Sequence, residues 1–347
     1  MRMVTRIILF CCLSCFVCAH TKAQSALLSW LKTETDTAYV QDYTDKVTFR
    51  FYGSRKFNSY DIMDTRQKKD IKYRPNSPFN IGFGANYKFL GLNLGFNLPF
   101  VNRHNDKYGK TKYLDLQTHI YLRKLVVDFY GQSYKGYYVA NPVEVFGKAY
   151  AAQHPYPQRP DIRSLAFGLG GQYVFNDKRF SYRAPNLQNE YQKKSAGSFL
   201  AGGDIFYVQV AGDSSLVPSN LADTAFLHDI HYYKSNIMST TASVGYAYTF
   251  VYKAHWFLSL SVTGGLGINR TKLFLESGDI TRDFGWQINN NIRASLGYNS
   301  PLYFAGIHYV ANTNRSEMSL PNTFQTFSAG NFRVSMVRRF TLKHKLF

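Results

Sequence analysis

Long stretches of the sequence alternate strictly between apolar and small polar residues, and this period of two constrains the fold more than any other feature. Examples are Phe79 to Tyr87, Leu90 to Leu98, and Thr241 to Phe250. Successive side chains of a β-strand point to opposite faces, so the pattern predicts strands with one apolar and one polar face. The similar segments number about twelve, each about 10 to 15 residues long, whereas strands of globular proteins average about five or six.

The length of these strands and their uniform apolar face predict a membrane barrel. A transmembrane β-strand needs about 9–11 residues to cross the apolar layer at a tilt. A barrel of about twelve strands also encloses more space than its side chains fill, since about eight strands already give a just-filled interior. We therefore expect the apolar face to meet lipid and the face of Gly, Asn, Ser and Thr to line the lumen. A soluble β-sandwich is the alternative.

Short and long connections alternate along the chain. Arg123-Lys124 is one of the tight turns, and 56–76 and 269–284 are two of the long polar loops. This alternation is typical of membrane barrels, whose turns face the periplasm and whose loops face outward. Residues 176–195 break the rule, because they stand where a short turn belongs. The prediction is a single all-β, antiparallel transmembrane barrel of about 12 strands, with about 10 or about 14 as alternatives.

The N-terminus has the features of an export signal. Arg2 and Arg6 precede an apolar stretch from residue 7 to residue 19 that is too short to span a bilayer, and Thr21-Lys22-Ala23 offers a cleavage site. We predict a signal peptide at 1–23, an N-terminal periplasmic segment at 24–44 and the barrel at 45–347. All four cysteines fall within the signal peptide, so the exported chain has no disulfide or thiolate site. The predicted location is the outer membrane of a Gram-negative bacterium.

The chain is strongly basic, with 41 Lys and Arg against 22 Asp and Glu. Loss of the signal peptide removes three bases and no acid, so the net formal charge falls from +19 to +16. For an exported protein this charge favours lipid phosphates over nucleic acid as the partner. We expect basic side chains of the outer loops to pair with the phosphates of lipopolysaccharide, although a solvated loop surface is the alternative. These loop residues are Lys68, Lys69, Lys72, Arg74, Arg103, Lys107 and Lys110.

The strand alternation also predicts which polar side chains enter the lumen. A polar network there holds the walls apart or sets ion selectivity, and several of its predicted members are basic. The lumen candidates are Arg50, Asn93, Asn97, Asp115, His119, Asp128, Asn291, Arg293, His308 and Arg333.

Several short motifs, taken in order, resemble a known family. The motifs are Asp36 to Val40, Phe49-Arg50-Phe51-Tyr52, Tyr73-Arg74-Pro75-Asn76 followed by Asn80 to Gly84, and Lys193 to Phe199. Together they resemble a domain-of-unknown-function family of predicted outer-membrane β-barrels of Bacteroidetes. The resemblance implies the fold and carries no activity. The alternating last strand and the final Phe347 are similar to the C-terminal signal that the barrel-assembly machinery reads.

A search for catalytic residues yields two histidines. Gly306-Ile307-His308 with Asn312 is similar to the motif of outer-membrane phospholipase A, but Val310 stands where the nucleophilic serine belongs. His119, with Asp115 and Asp128 on the same predicted face, has the residue types of a general base, but a charged lumen network is commoner.

His228 and His231 have a spacing that is weak evidence for a metal, so we expect no metal and no cofactor. We therefore predict a monomeric, porin-like passive pore or structural barrel. The alternative is a lipid-modifying or hydrolytic enzyme.

Overall fold

The computed structural model describes residues 33–87, 90–97, 104–221 and 226–341. The predicted signal peptide, Arg103 and the end of the chain at Phe347 lie outside these residues. Across the four described ranges, no helix is long and apolar enough to cross a membrane.

Strands make up most of the described chain. They are β1 (Val40–Asp42), β2 (Val47–Asp64), β3 (Lys69–Arg74), β4 (Phe79–Tyr87), β5 (Leu90–Asn97), β6 (Lys112–Tyr121), β7 (Leu125–Val139), β8 (Gln158–Val174), β9 (Glu190–Gln192), β10 (Ala196–Ala211), β11 (Tyr232–Tyr252), β12 (Trp256–Leu275), β13 (Ile280–Asn299), β14 (Tyr303–Glu317) and β15 (Thr323–Phe340). Short helices connect some of them: α1 (Asn105–Tyr108), α2 (Pro142–Phe146), α3 (Lys148–Gln153), α4 (Arg183–Asn186) and a 3₁₀ turn at Phe226–Asp229.

The strands close into an antiparallel barrel, as predicted. Ten strands form the ring, in the order β2, β15, β14, β13, β12, β11, β10, β8, β7 and β3. The ring closes on one side where β15 pairs with the whole of β2, and on the other where β3 bridges β2 and β7. β4 and β5 extend from β2, and β6 extends from β7, as additional strands. The predicted count of about twelve is therefore not confirmed, and the ring has the ten strands of one alternative.

Several of the predicted loops include residues that belong to strands. Residues 56–76 contain the second half of β2 and all of β3, and 269–284 contain the ends of β12 and β13. The prediction ended these strands too early because their outer parts are polar. There β2 and β3 form a hairpin, in which the pairs run from Tyr60 opposite Tyr73 to Asp64 opposite Lys69. Strands that rise above the lipid no longer need an apolar face, so the sequence pattern fades before the strand ends.

The barrel is apolar outside and polar inside. On the outer face, Phe199, Val244 and Trp286 are 69%, 70% and 69% exposed. On the inner face, Gln287 and Arg293 are 0% and 3% exposed. A soluble β-sandwich would bury the apolar face and expose the polar one. This distribution is that of a membrane-spanning barrel, in which closure of the sheet also satisfies the backbone hydrogen bonds that lipid cannot.

Candidate functional site: a lumen closed at both ends

Residues 176–195 turn back into the barrel instead of forming a short turn. This segment contains α4 and β9, and β9 pairs with β1 of the N-terminal segment, from Val40 opposite Gln192 to Asp42 opposite Glu190. We call residues 33–46 and 176–195 the plug. It lies at the end of the barrel where the turns are short, since Tyr191 donates a hydrogen bond to the backbone oxygen of Ala254 in the turn between β11 and β12. We call this the turn end.

Arginines of the barrel wall bind the plug backbone. Arg50 donates to the backbone oxygen of Leu187 at 3.2 Å and also to the side-chain oxygen of Gln188. Arg339 donates through Nε to the backbone oxygen of Gln188 at 2.8 Å. Arg333 Nη2 lies 3.4 Å from the backbone oxygen of Asn186. Two wall strands, β2 and β15, and the plug are thereby joined by charge-assisted hydrogen bonds, which are stronger than neutral ones.

A buried carboxylate holds the plug together from within. Glu190 is 2% exposed and lies 2.7 Å from Arg123 of the turn between β6 and β7, and 3.2 Å from Arg183 of α4. The hydroxyl of Ser181 donates to it at 2.5 Å. Removal of one partner of a buried ion pair leaves an uncompensated charge, which costs about 3–5 kcal/mol. Glu190 is therefore the residue on which the fold of the plug most depends.

Above the plug, four of the predicted lumen residues, His119, Asp128, Asn291 and Arg293, meet in one network. Asp128 Oδ1 lies 2.6 Å from His119 Nδ1, and the other oxygen of Asp128 accepts from Arg293. Arg293 also donates to the hydroxyl of Tyr121 at 2.7 Å and to Asn291 at 3.2 Å. The network reaches strands on both sides of the barrel, so it holds opposite walls at a fixed distance.

The plug touches this network through Tyr182. Its hydroxyl shares a 2.5 Å hydrogen bond with Ser261, and its ring lies 5.8 Å from the Arg293 guanidinium. Burial raises the pKa of Tyr182 to about 12, so the hydroxyl remains protonated at neutral pH.

Asp115 and His308 have separate surroundings. Asp115 accepts from Tyr134 at 2.6 Å and Gln132 at 2.8 Å, and pairs with Lys56 at 3.2 Å. His308 is 3% exposed, and its two ring nitrogens each lie 3.1 Å from a serine hydroxyl, of Ser295 on one side and Ser335 on the other. His308 therefore has two serine hydroxyls beside it, although position 310 of the chain is a valine.

The remaining two lumen candidates are on β5. Asn93 accepts from Arg50 at 3.0 Å, and Asn97 pairs in register with Asn80. Both are exposed, because within the described residues β5 pairs on one side, with β4.

At the opposite end, which we call the loop end, the interior is apolar. Leu216 and Leu227 of the long connection after β10 are both 0% exposed and pack among Tyr60, Tyr73 and Ile162 of the wall. Tyr73 also donates to the backbone oxygen of Leu216 at 2.8 Å. This cluster resembles the core of a soluble domain more than a polar lumen, and the sequence pattern did not predict it because it combines inward-facing strand residues with residues of a loop, such as Leu216.

The basic loop residues differ in how far they are already paired. Arg74 pairs with Asp61, and Lys72 lies 3.3 Å from Asp70. Lys107 lies over the rings of Tyr156 and Tyr108, at 4.7 and 5.2 Å from their centres. Lys69 lies in β3, whereas Lys68 and Lys110 are exposed.

His231 Nδ1 lies 3.0 Å from the backbone oxygen of Val217. In the part of the chain that the structure describes, no three side chains among His, Cys, Asp and Glu come together as a metal site.

Sequence reasoning missed Arg339, Glu190 and Tyr182. Arg339 had a usable signal, because it has the same parity in β15 as the predicted lumen residue Arg333. Glu190 and Tyr182 had none, since they lie in a segment without periodicity.

The chain belongs to a family described as a domain of unknown function, DUF4421, whose model matches residues 34–340. The predicted family resemblance is thus confirmed. No curated protein sequence matches the chain.

Solved structures with a similar fold are outer-membrane proteins. The outer membrane protease OmpT from Escherichia coli is 8% identical, with 86% of this chain and 98% of that chain covered and a TM-score of 0.38. The toluene transporter TodX of Pseudomonas putida is 8% identical, with 85% and 90% covered and a TM-score of 0.24. The OmpT outer membrane protein of Vibrio cholerae is 9% identical, with 85% and 99% covered and a TM-score of 0.28.

Proposed function

We propose that the protein is an outer-membrane barrel whose lumen is closed at rest and conducts small solutes when the plug is displaced. The observation that carries this proposal is the way the plug is held: by side-chain hydrogen bonds and ion pairs of Arg50, Arg339 and Glu190, together with an apolar cluster around Phe180 that is smaller than that of the loop end. Water can replace such bonds at a small net cost, whereas it cannot replace apolar packing. The plug is therefore the part of the closed lumen that can move without unfolding the wall.

Single-channel conductance of the refolded full chain in planar bilayers tests this function. We expect the wild type to be closed and Glu190→Ala to show frequent openings, because Arg123 and Arg183 lose their shared partner. Glu144→Ala, the same substitution in the exposed helix α2 of the loop end, is the matched control and should remain closed.

Two results would contradict the proposal. Stable openings of the wild type would indicate a resting pore. Silence of a Glu190→Ala variant that is shown to be folded, by its heat-dependent migration in gels, would indicate a purely structural barrel.

A hydrolytic enzyme is the second candidate, favoured by the position of His308 between two serines. A histidine at 3.1 Å from a hydroxyl has the geometry of a general base beside a nucleophile. Within the described residues, however, no carboxylate contacts His308 to orient it. Release of fatty acid from phospholipid vesicles, abolished by Ser295→Ala or Ser335→Ala but not by Ser277→Ala in an exposed turn, would support this candidate, and its absence would remove it.

We also propose that loop lysines contact lipopolysaccharide phosphates, that the assembly machinery inserts the barrel, and that it is a monomer. Lys68 and Lys110 are the residues best suited for the phosphate contact, because they are exposed and, within the described residues, form no ion pair with an aspartate. Binding to lipopolysaccharide vesicles should weaken in a Lys68→Gln, Lys110→Gln variant. Equal binding of this variant and the wild type would contradict the contact.

A further inference from the structure

A small cavity lies in the lumen, between the plug and the apolar loop end. Its volume is about 20 Å³, which is enough for one particle of the size of a water molecule. Asp128, Gln172, Asp204 and Asn289 are among the side chains that line it. Gly170 lies opposite Asp204 in the pairing of β8 with β10, and the absence of a side chain there keeps this space open.

Two buried oxygens that belong to lining residues have no hydrogen-bond partner in the protein. One is Oε1 of Gln172, whose residue is 9% exposed and whose amide nitrogen donates to Thr263 at 3.2 Å. The other is Oδ1 of Asp204. A buried acceptor without a donor costs about 1–3 kcal/mol, and more if it is charged. Both residues line the same cavity, which indicates that a ligand there supplies the partner that these two oxygens lack.

The charges around the cavity decide the sign of that ligand. Asp128 is neutralised by Arg293 and contacts His119. Asp204 receives hydrogen bonds from Thr241 at 2.7 Å and Asn289 at 2.5 Å, and both donors are neutral. Among the described residues, no lysine, arginine or histidine forms an ion pair with Asp204. When ionised, the carboxylate of Asp204 therefore gives the cavity a negative charge without a basic partner, which attracts a cation and repels an anion.

We propose that this cavity is a binding site for a monovalent cation, with sodium as the ion that fits best. Carboxylate and amide oxygens are hard ligands, which suit alkali and alkaline-earth ions rather than zinc or copper. One carboxylate with neutral oxygens gives a neutral site with a single positive charge, whereas calcium sites usually combine several carboxylates. Asp204 and Gln172 bind the ion, and Thr241 and Asn289 position the carboxylate of Asp204.

Thermal unfolding of the refolded full chain in detergent tests this site. The midpoint is compared in sodium chloride, potassium chloride and N-methylglucamine chloride at equal ionic strength. A ligand that binds the folded state alone raises the midpoint, and the rise grows with ligand concentration. We expect sodium to raise the midpoint of the wild type above that in N-methylglucamine, with a smaller rise in potassium. Broadening of the ²³Na resonance by the folded protein gives a second, direct measurement of binding.

Two variants remove the site by different routes. Asp204→Asn deletes the charge and should lower sodium affinity by at least about tenfold, which is about 1.4 kcal/mol. Gly170→Ala adds one methyl group to the cavity, at an ordinary contact distance of 3.5 Å from Cβ of Asp204, and should abolish the sodium effect while the barrel remains folded. Asp106→Asn, the same change in the exposed helix α1, is the control and should respond to sodium like the wild type.

Three outcomes would overturn the proposal. The first is an unfolding midpoint of the wild type that is the same in sodium chloride and in N-methylglucamine chloride. The second is a full sodium response in both Asp204→Asn and Gly170→Ala. A response to calcium chloride without any response to sodium would replace the monovalent ion with a divalent one.

Discussion

The two ends of the lumen are closed by different kinds of interaction. At the loop end, Leu216 and Leu227 pack among buried tyrosines of the wall, in the manner of a soluble core. At the turn end, the plug is held by Arg50, Arg339 and the ion pairs of Glu190, and a smaller apolar cluster around Phe180 adds to them. Apolar burial is lost whenever water enters, whereas hydrogen bonds can be exchanged for bonds to water. The loop end therefore contributes most to stability, and the turn end is the one that we propose to open.

The largest expected effect is on stability and comes from the loop end. Tyr73 is 0% exposed, and its ring stacks on Tyr60 with centres 6.3 Å apart. Tyr73→Ala removes a fully buried ring and should lower the free energy of unfolding by about 3–5 kcal/mol. Urea unfolding of the refolded barrel measures this loss.

Tyr73→Phe is the matched control, since it keeps the ring and removes the hydroxyl that donates to Leu216. Its expected loss is about 1 kcal/mol. If both variants lost the same free energy, the loop end would depend on its hydrogen bond rather than on packing, and the contrast between the two ends would disappear.

A smaller loss of stability, but a gain of conductance, is expected at the turn end. Arg339 is 2% exposed and donates to Gln188, to Ser300 and, at 2.9 Å, to Asn299. Arg339→Met leaves these acceptors without their donor, which should cost about 2 kcal/mol and release the plug. Conductance in planar bilayers should therefore appear in this variant.

The adjacent arginine provides the control. Arg338 faces outward, with its guanidinium 5.1 Å from the ring centre of Phe340, so Arg338→Met changes the same residue type without touching the plug. It should remain closed and almost as stable as the wild type. Equal conductance of the two variants would show that openings arise from a weakened wall and not from the plug.

The outer face of the barrel was predictable because lipid imposes one rule along its whole length. Leu258, Leu260 and Val262 alternate with polar residues, and all three are exposed on the barrel surface. The same parity located Arg293 and His308 on the inner face, where both are 3% exposed. A period of two needs no knowledge of the neighbouring strands, so a single sequence contains enough information to read it.

The plug and the strand count were beyond this kind of reasoning. Arg50 and Gln188 meet although 138 positions separate them in the sequence, and the plug has no periodicity that would indicate its place. The count of about twelve was not confirmed for a related reason, because β3 is a short strand in which polar residues such as Asp61 and Lys72 pair with each other. Both features depend on which segments meet in space, and local pattern does not encode that.

The smallest effect that we predict is the coupling free energy between substitutions at the two ends, which should be close to zero. Tyr73 pairs with Tyr60, and Arg339 pairs with Thr48, so twelve positions of β2 separate the two sites. At about 3.3 Å per residue this is about 40 Å, and mutations more than about 10 Å apart without shared partners add within about 0.5 kcal/mol. The losses of Tyr73→Phe and Arg339→Met should therefore add in the double variant, measured by urea unfolding. A coupling of more than about 1 kcal/mol would mean that the polar network of Asp128 and Arg293 transmits strain along the lumen. The apolar end would then also control when the plug opens.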